Sequence, residues 1–84
     1  MAELSSEEVK LLSLIKPGKN VRFVSITGGA FLQSRLMSMG FLQGTMIEVV
    51  KNSGRGPVII SVKGSRLVLG RGMAQKILVT WIEP

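Results

Sequence analysis

The stretch Arg35-Leu36-Met37-Ser38-Met39-Gly40-Phe41-Leu42-Gln43-Gly44-Thr45 decides how the rest of this chain is read. Leu32, Leu36 and Met39 stand at i, i+4 and i+7, one side of a helical period, so a helix with its inward face on these residues is predicted to end here. Gly40 follows at the place where a helix stops on a left-handed residue, a conformation glycine adopts without a Cβ penalty. Gly44 closes a short loop, and Thr45–Lys51 reads as a strand rich in β-branched residues. The stretch therefore carries the chain from a helix into a sheet, and Leu36, Gly40 and Gly44, with Arg35, are read mainly as determinants of the fold.

Working towards the N-terminus, the helix is predicted over Ala30–Met39, capped by Thr27 or a nearby backbone group after the break at Gly28-Gly29. Asn20–Ile26 is a predicted strand, with Val21, Phe23 and Ser25 on one face and Arg22, Val24 and Ile26 on the other. Lys16-Pro17-Gly18-Lys19 has the proline and glycine of a type II turn. Ser5 and Glu8 have the spacing of a capping box for a short helix through Val9, Leu12 and Ile15. Residues 1–10 are read as a lead containing that helix start, and residues 11–84 as a single domain.

Working towards the C-terminus, Asn52–Pro57 reads as a flexible, basic hairpin loop between Thr45–Lys51 and a strand over Pro57–Lys63. A tight turn over Lys63–Arg66, a strand over Arg66–Leu69, one helical turn over Met73–Lys76 and a last strand over Ile77–Ile82 complete the chain. Five short strands separated by glycine turns predict a mainly β protein, a small closed barrel of about five strands with short helical insertions.

Composition limits what such a domain does. There is no cysteine, so stability rests on packed apolar side chains, which the 45% hydrophobic content supplies. Absence of cysteine fits a reducing cytoplasm. No apolar run reaches the roughly 18 residues of a membrane span. Met1–Ser5 has neither a basic lead nor a long apolar run, so no signal peptide is expected.

Histidine and aspartate are absent, and the five glutamates fall mostly near the ends. General acid–base catalysis and a transition-metal site built within one chain both lack their side chains, so no enzymatic activity and no cofactor are expected. The methionines Met1, Met37, Met39, Met46 and Met73 read first as core filler. Thr27-Gly28-Gly29-Ala30 and Ser53-Gly54-Arg55-Gly56 lack the spacing of a phosphate-binding or dinucleotide fingerprint and read as turns.

Eleven lysines and arginines against five glutamates give a net charge of +6, which favours anionic partners. A nucleic-acid-binding small barrel is therefore the rival reading, with Arg55, Arg66 and Arg71 on turns. It lacks a stacking platform, because aromatic residues are few and tyrosine is absent. A surface for another protein is better provided. Phe31 and Met37 lie off the inward stripe of the helix, and Phe41 follows its stop, close to Arg35 and Gln43. Exposed, these are apolar groups with no internal role, the mark of a docking site. A self-associating domain is the structural rival.

Arg35-Leu36-x-x-x-Gly40-Phe41-x-x-Gly44 resembles the signature of the FeoA family, ferrous iron transport protein A. Leu12-x-Leu14-x-Lys16-Pro17-Gly18, Pro57-Val58-x-x-x-Val62-x-Gly64 and Leu67-x-Leu69-x-Arg71-x-x-Ala74-x-x-Ile77-x-Val79 resemble its opening, middle hairpin and closing segment. Gln43 and Ser34 depart from the family pattern, which often has proline and a basic residue there. The resemblance implies an SH3-like barrel and a cytoplasmic, non-enzymatic accessory of bacterial ferrous iron uptake. Its implied partner is the cytoplasmic GTP-binding region of the membrane transporter FeoB. The same fold ends some iron-dependent repressors, so an isolated regulatory domain is also implied. The expected docking surface runs from Phe31 to Gln43, with Arg35 and Phe41 nearest the contact and Met37 beside them.

Overall fold

The computed structural model describes residues 8–82. They form strand β1 (Val9–Leu11), a 3₁₀ turn (Leu12–Leu14), β2 (Asn20–Ile26), helix α1 (Ala30–Ser38), β3 (Met46–Lys51), β4 (Val58–Val62), β5 (Ser65–Leu69), a one-turn helix α2 (Arg71–Ala74) and β6 (Ile77–Trp81). The strands make one antiparallel sheet in the order β1-β6-β2-β3-β4-β5. The sheet wraps around one core in which Val21, Ile47, Val49, Val58, Ile60, Ile77 and Val79 are enclosed together with Leu12, Leu36 and Phe41. The mainly β expectation holds, with six strands rather than five.

The sixth strand replaces a predicted helix. Val9, Lys10 and Leu11 pair with Thr80, Val79 and Leu78 of β6, so the sheet begins inside what read as a lead. Ser5, the expected cap, lies outside the described residues. The reason is length. Pro17 disfavours helical backbone at Lys16, leaving fewer than two turns after Val9, too few to offset the cost of nucleation. The same residues as a strand cover the open side of β6, and Leu12 and Ile15 still reach the core.

Closure is also incomplete, because β1 and β5 remain the two edges of the sheet. Lys10 and Arg66 stand on these edges, where a charged side chain discourages pairing with another chain. In β2 the register with β6 shifts between Phe23 and Ser25, which places a bulge at Val24. A bulge inserts one residue and so reverses the alternation beyond it. Ser25 therefore points outwards and Ile26 inwards, opposite to the sequence expectation.

Helix α1 ends as the glycine stop requires. The Gly40 N–H donates to the Met37 carbonyl and the Phe41 N–H to the Leu36 carbonyl, both at 3.0 Å, with Gly40 at φ +99°. These are the paired bonds of a Schellman motif. At the N-terminus the cap is the nearby backbone rather than Thr27. Gly29 occupies it without a side-chain bond, and the Thr27 hydroxyl donates instead to the Lys76 carbonyl at 3.3 Å. Met39, at the C-cap with non-helical backbone, leaves the inward stripe and is exposed. A side chain at Gly40 would meet open space, the nearest atom being Lys63 Cδ at 4.0 Å, so its cost is conformational. Gly40→Val should destabilise by about 1 kcal/mol or more, because a β-branched residue is strained at positive φ. An unchanged melting temperature would refute the cap.

Candidate functional site

Nine residues of α1 bury a single side chain completely, Leu36, with Leu32 packed partly beneath it. The rest of the helix is presented outwards. Phe31 is 79% exposed and Met37 58%, and Leu42, just past the stop, is 46% exposed. A lone helix anchored through one stripe keeps large apolar groups in water, at a cost that a partner surface would recover.

The loop after the helix is held firmly. The Gly44 N–H donates to the Phe23 carbonyl at 2.8 Å, the Phe23 N–H to the Thr45 carbonyl at 2.9 Å, and Arg22 Nη1 to the Gly44 carbonyl at 2.9 Å. Gly44 makes this approach with φ +88°. The loop thereby takes the pairing edge of β2 as far as Phe23. The paired positions of β3 stop opposite Arg22. Beyond Phe23 the strand parts from the loop and a groove opens.

That groove has a volume of about 280 Å³. Val24, Ser25 and Ile26 of β2 form one wall, Gln33 and Met37 of α1 the other, and Leu42 and Gln43 the end, over a floor of Phe23 and Phe41. The two phenyl rings pack edge to face, with centroids 5.7 Å apart and planes at 72°.

The structure therefore divides the residues expected at the docking surface. Met37 and Gln43 both line the groove. Phe31 and Arg35 are exposed on α1 but do not line it. Phe41 is not a surface residue: it is completely enclosed and belongs to the core. The physical reason is the Schellman motif itself, in which the residue after the glycine commonly packs on the residue five before it, here Leu36. Arg35 makes no side-chain bond among the described residues, and it stands in the last turn of α1, where a cation complements the carbonyl end of the helix. Leu42 and the β2 wall were missed from the sequence. Leu42 follows the helix stop, where periodicity no longer assigns a face, and the wall exists only because of the bulge at Val24. Among the described residues no group of three or more carboxylates, histidines or cysteines comes together.

The FeoA domain model matches residues 10–80. The chain belongs to the FeoA family. A Methanocaldococcus jannaschii protein provisionally named Fe(2+) transport protein A is 44% identical over 68 residues, which cover 81% of this chain and 82% of that protein. The crystal structure of an iron uptake regulatory protein, FeoA, is similar over 87% of this chain and 97% of its own length, at 38% identity and a TM-score of 0.79. Stenotrophomonas maltophilia FeoA, crystallised with zinc and described as a procaryotic SH3 domain protein, matches with a TM-score of 0.71 over 81% of this chain and 86% of its own. Its 23% identity makes that a likeness of fold. The six-stranded sheet is thus the SH3-like fold of FeoA, a family of ferrous iron transport.

Proposed function

We propose that this FeoA-family chain is a cytoplasmic, non-enzymatic accessory of ferrous iron uptake. It acts by docking on the cytoplasmic GTP-binding region of the membrane transporter, FeoB. The supporting observation is the outward face of α1 and its loop, where Phe31, Met37 and Leu42 stand exposed beside Arg35 and Gln43 on a rigidly tied support. Large apolar anchors rimmed by polar groups are the usual carriers of binding energy between proteins. Of the three arginines behind the nucleic-acid reading, Arg71 spends its guanidinium on the Gly56 and Ser13 carbonyls, while Arg55 and Arg66 stand exposed.

The test is a titration of the labelled protein with the transporter's soluble GTP-binding domain. Amide shifts should concentrate on residues 30–43. Phe31→Ser with Met37→Ser should weaken binding by about tenfold or more while leaving the melting temperature nearly unchanged. Shifts confined to the β4–β5 end of the sheet, or binding indifferent to the double variant, would remove this surface from the contact.

A further inference from the structure

A second exposed apolar patch lies on other elements. Val9 and Leu11 of β1, Leu14 of the 3₁₀ turn and Trp81 at the end of β6 share one open depression with Lys10, Lys16 and Lys19. Leu14 is 70% exposed and Trp81 38%. The patch exists because β1 pairs with β6, which brings Val9 opposite Thr80, and because the turn after Leu14 carries Lys16 and Lys19 back alongside. Among the described residues Glu8 is ion-paired to Lys10 at 3.3 Å, and Glu48 stands opposite Asn20, the residue after Lys19. Lys16 and Lys19 have no such partner there.

We propose that this patch is a contact for an anionic phospholipid surface. It is distinct from the α1 face and does not depend on the transporter reading. All three cations are lysines. An acidic protein face is recognised best by arginine, whose rigid fork fits a fixed carboxylate, whereas lysine is a mobile point charge suited to a fluid layer of headgroups. Lysine stems lie along apolar neighbours while the ammonium stays in water, so the charges ring Leu14 and Trp81 without covering them. Tryptophan favours the headgroup level of a bilayer. Reversible attachment needs two signals together, an apolar insertion and a basic cluster, and both are present. Lys10 on the edge strand also discourages the alternative of strand addition.

Trp81 is the only tryptophan in the chain, so it reports on the patch directly. The full chain is titrated with vesicles of phosphatidylcholine alone and of phosphatidylcholine mixed with phosphatidylglycerol. Only the anionic vesicles should shift Trp81 emission to shorter wavelength, brominated lipid should quench it, and added salt should reverse both. Lys16→Glu with Lys19→Glu should weaken binding by about tenfold or more. Lys63→Glu with Arg66→Glu, an equal change of net charge at the β4–β5 turn, should change it by less than about threefold. Leu14→Ala should reduce the emission shift. An unchanged emission with anionic vesicles at low salt overturns the proposal. So does equal weakening by the two charge-reversed pairs, which would mean adsorption by net charge alone. Failure on vesicles with weakened binding of the transporter's soluble domain by Lys16→Glu and Lys19→Glu would assign the patch to a protein instead.

Discussion

Phe41→Ala should lose about 3–5 kcal/mol of stability, the range for deleting a fully enclosed aromatic side chain. For a domain of 84 residues that is a large share of a total of about 4–13 kcal/mol. The melting temperature should fall by roughly 12 °C or more. Three contacts meet at this ring: it packs edge to face on Phe23, floors the groove, and closes the Schellman motif over Leu36. Removing it therefore opens a cavity under both the helix stop and the β2 wall. Phe41→Leu keeps most of the volume and should cost under about 1.5 kcal/mol. Phe31→Ala, four-fifths exposed on the same helix, should stay within about 0.5 kcal/mol of the parent. Thermal melts of the three variants separate the roles: a Phe41→Ala protein that melts like the parent would show that the ring is not core. The contrast also protects the docking test, because lost binding in a Phe41 variant would report unfolding rather than contact.

What the sequence made legible follows from how local each signal is. The strands over residues 20–26, 46–51, 58–62 and 77–81 are betrayed by alternation between glycine turns, and the helix stop by Gly40. The position of Phe41 was also available locally: once Gly40 is placed as the left-handed residue, the next side chain is directed at Leu36. β1 was not legible. Val-Lys-Leu carries no periodicity, and it is a strand only because β6, nearly 70 positions later, leaves an edge to cover. The bulge at Val24 was equally hidden, since it is a mismatch between two strands rather than a property of one. The exposed residues of α1 could be anticipated from their offset against the buried stripe, while the opposite wall of the groove could not. Another long-range relation hidden from the sequence joins Ser13, Asn52 and Arg71.

Asn52→Ala should lose about 2 kcal/mol, because it leaves several partly buried groups without partners at once. The loop from Asn52 to Pro57 reads as flexible in sequence, but the structure ties it down. The Asn52 carboxamide donates both hydrogens, to the Ser13 and Ile15 carbonyls at 2.9 Å each. Its oxygen accepts from the Gly54 N–H at 3.1 Å and from Arg71 Nη2 at 2.8 Å. All four of its hydrogen-bonding capacities are used. Arg71 continues the clamp, donating from Nε to the Gly56 carbonyl at 2.8 Å and from Nη1 to the Ser13 carbonyl at 3.3 Å. The two side chains thus join the segment after β1, the β3–β4 loop and α2. Arg71→Lys keeps the charge but cannot reach three acceptors with one ammonium, and should cost about 1–2 kcal/mol. Since the residues share Ser13 and bond each other, the double variant should lose less than the sum of the singles, by about 0.5 kcal/mol or more. Denaturant melts of the four proteins measure this directly. Additivity within about 0.3 kcal/mol would mean that the two side chains act independently. Faster hydrogen exchange at the Gly54 amide in Arg71→Lys would show that Arg71 orders the loop through Asn52, since Arg71 itself does not touch that N–H.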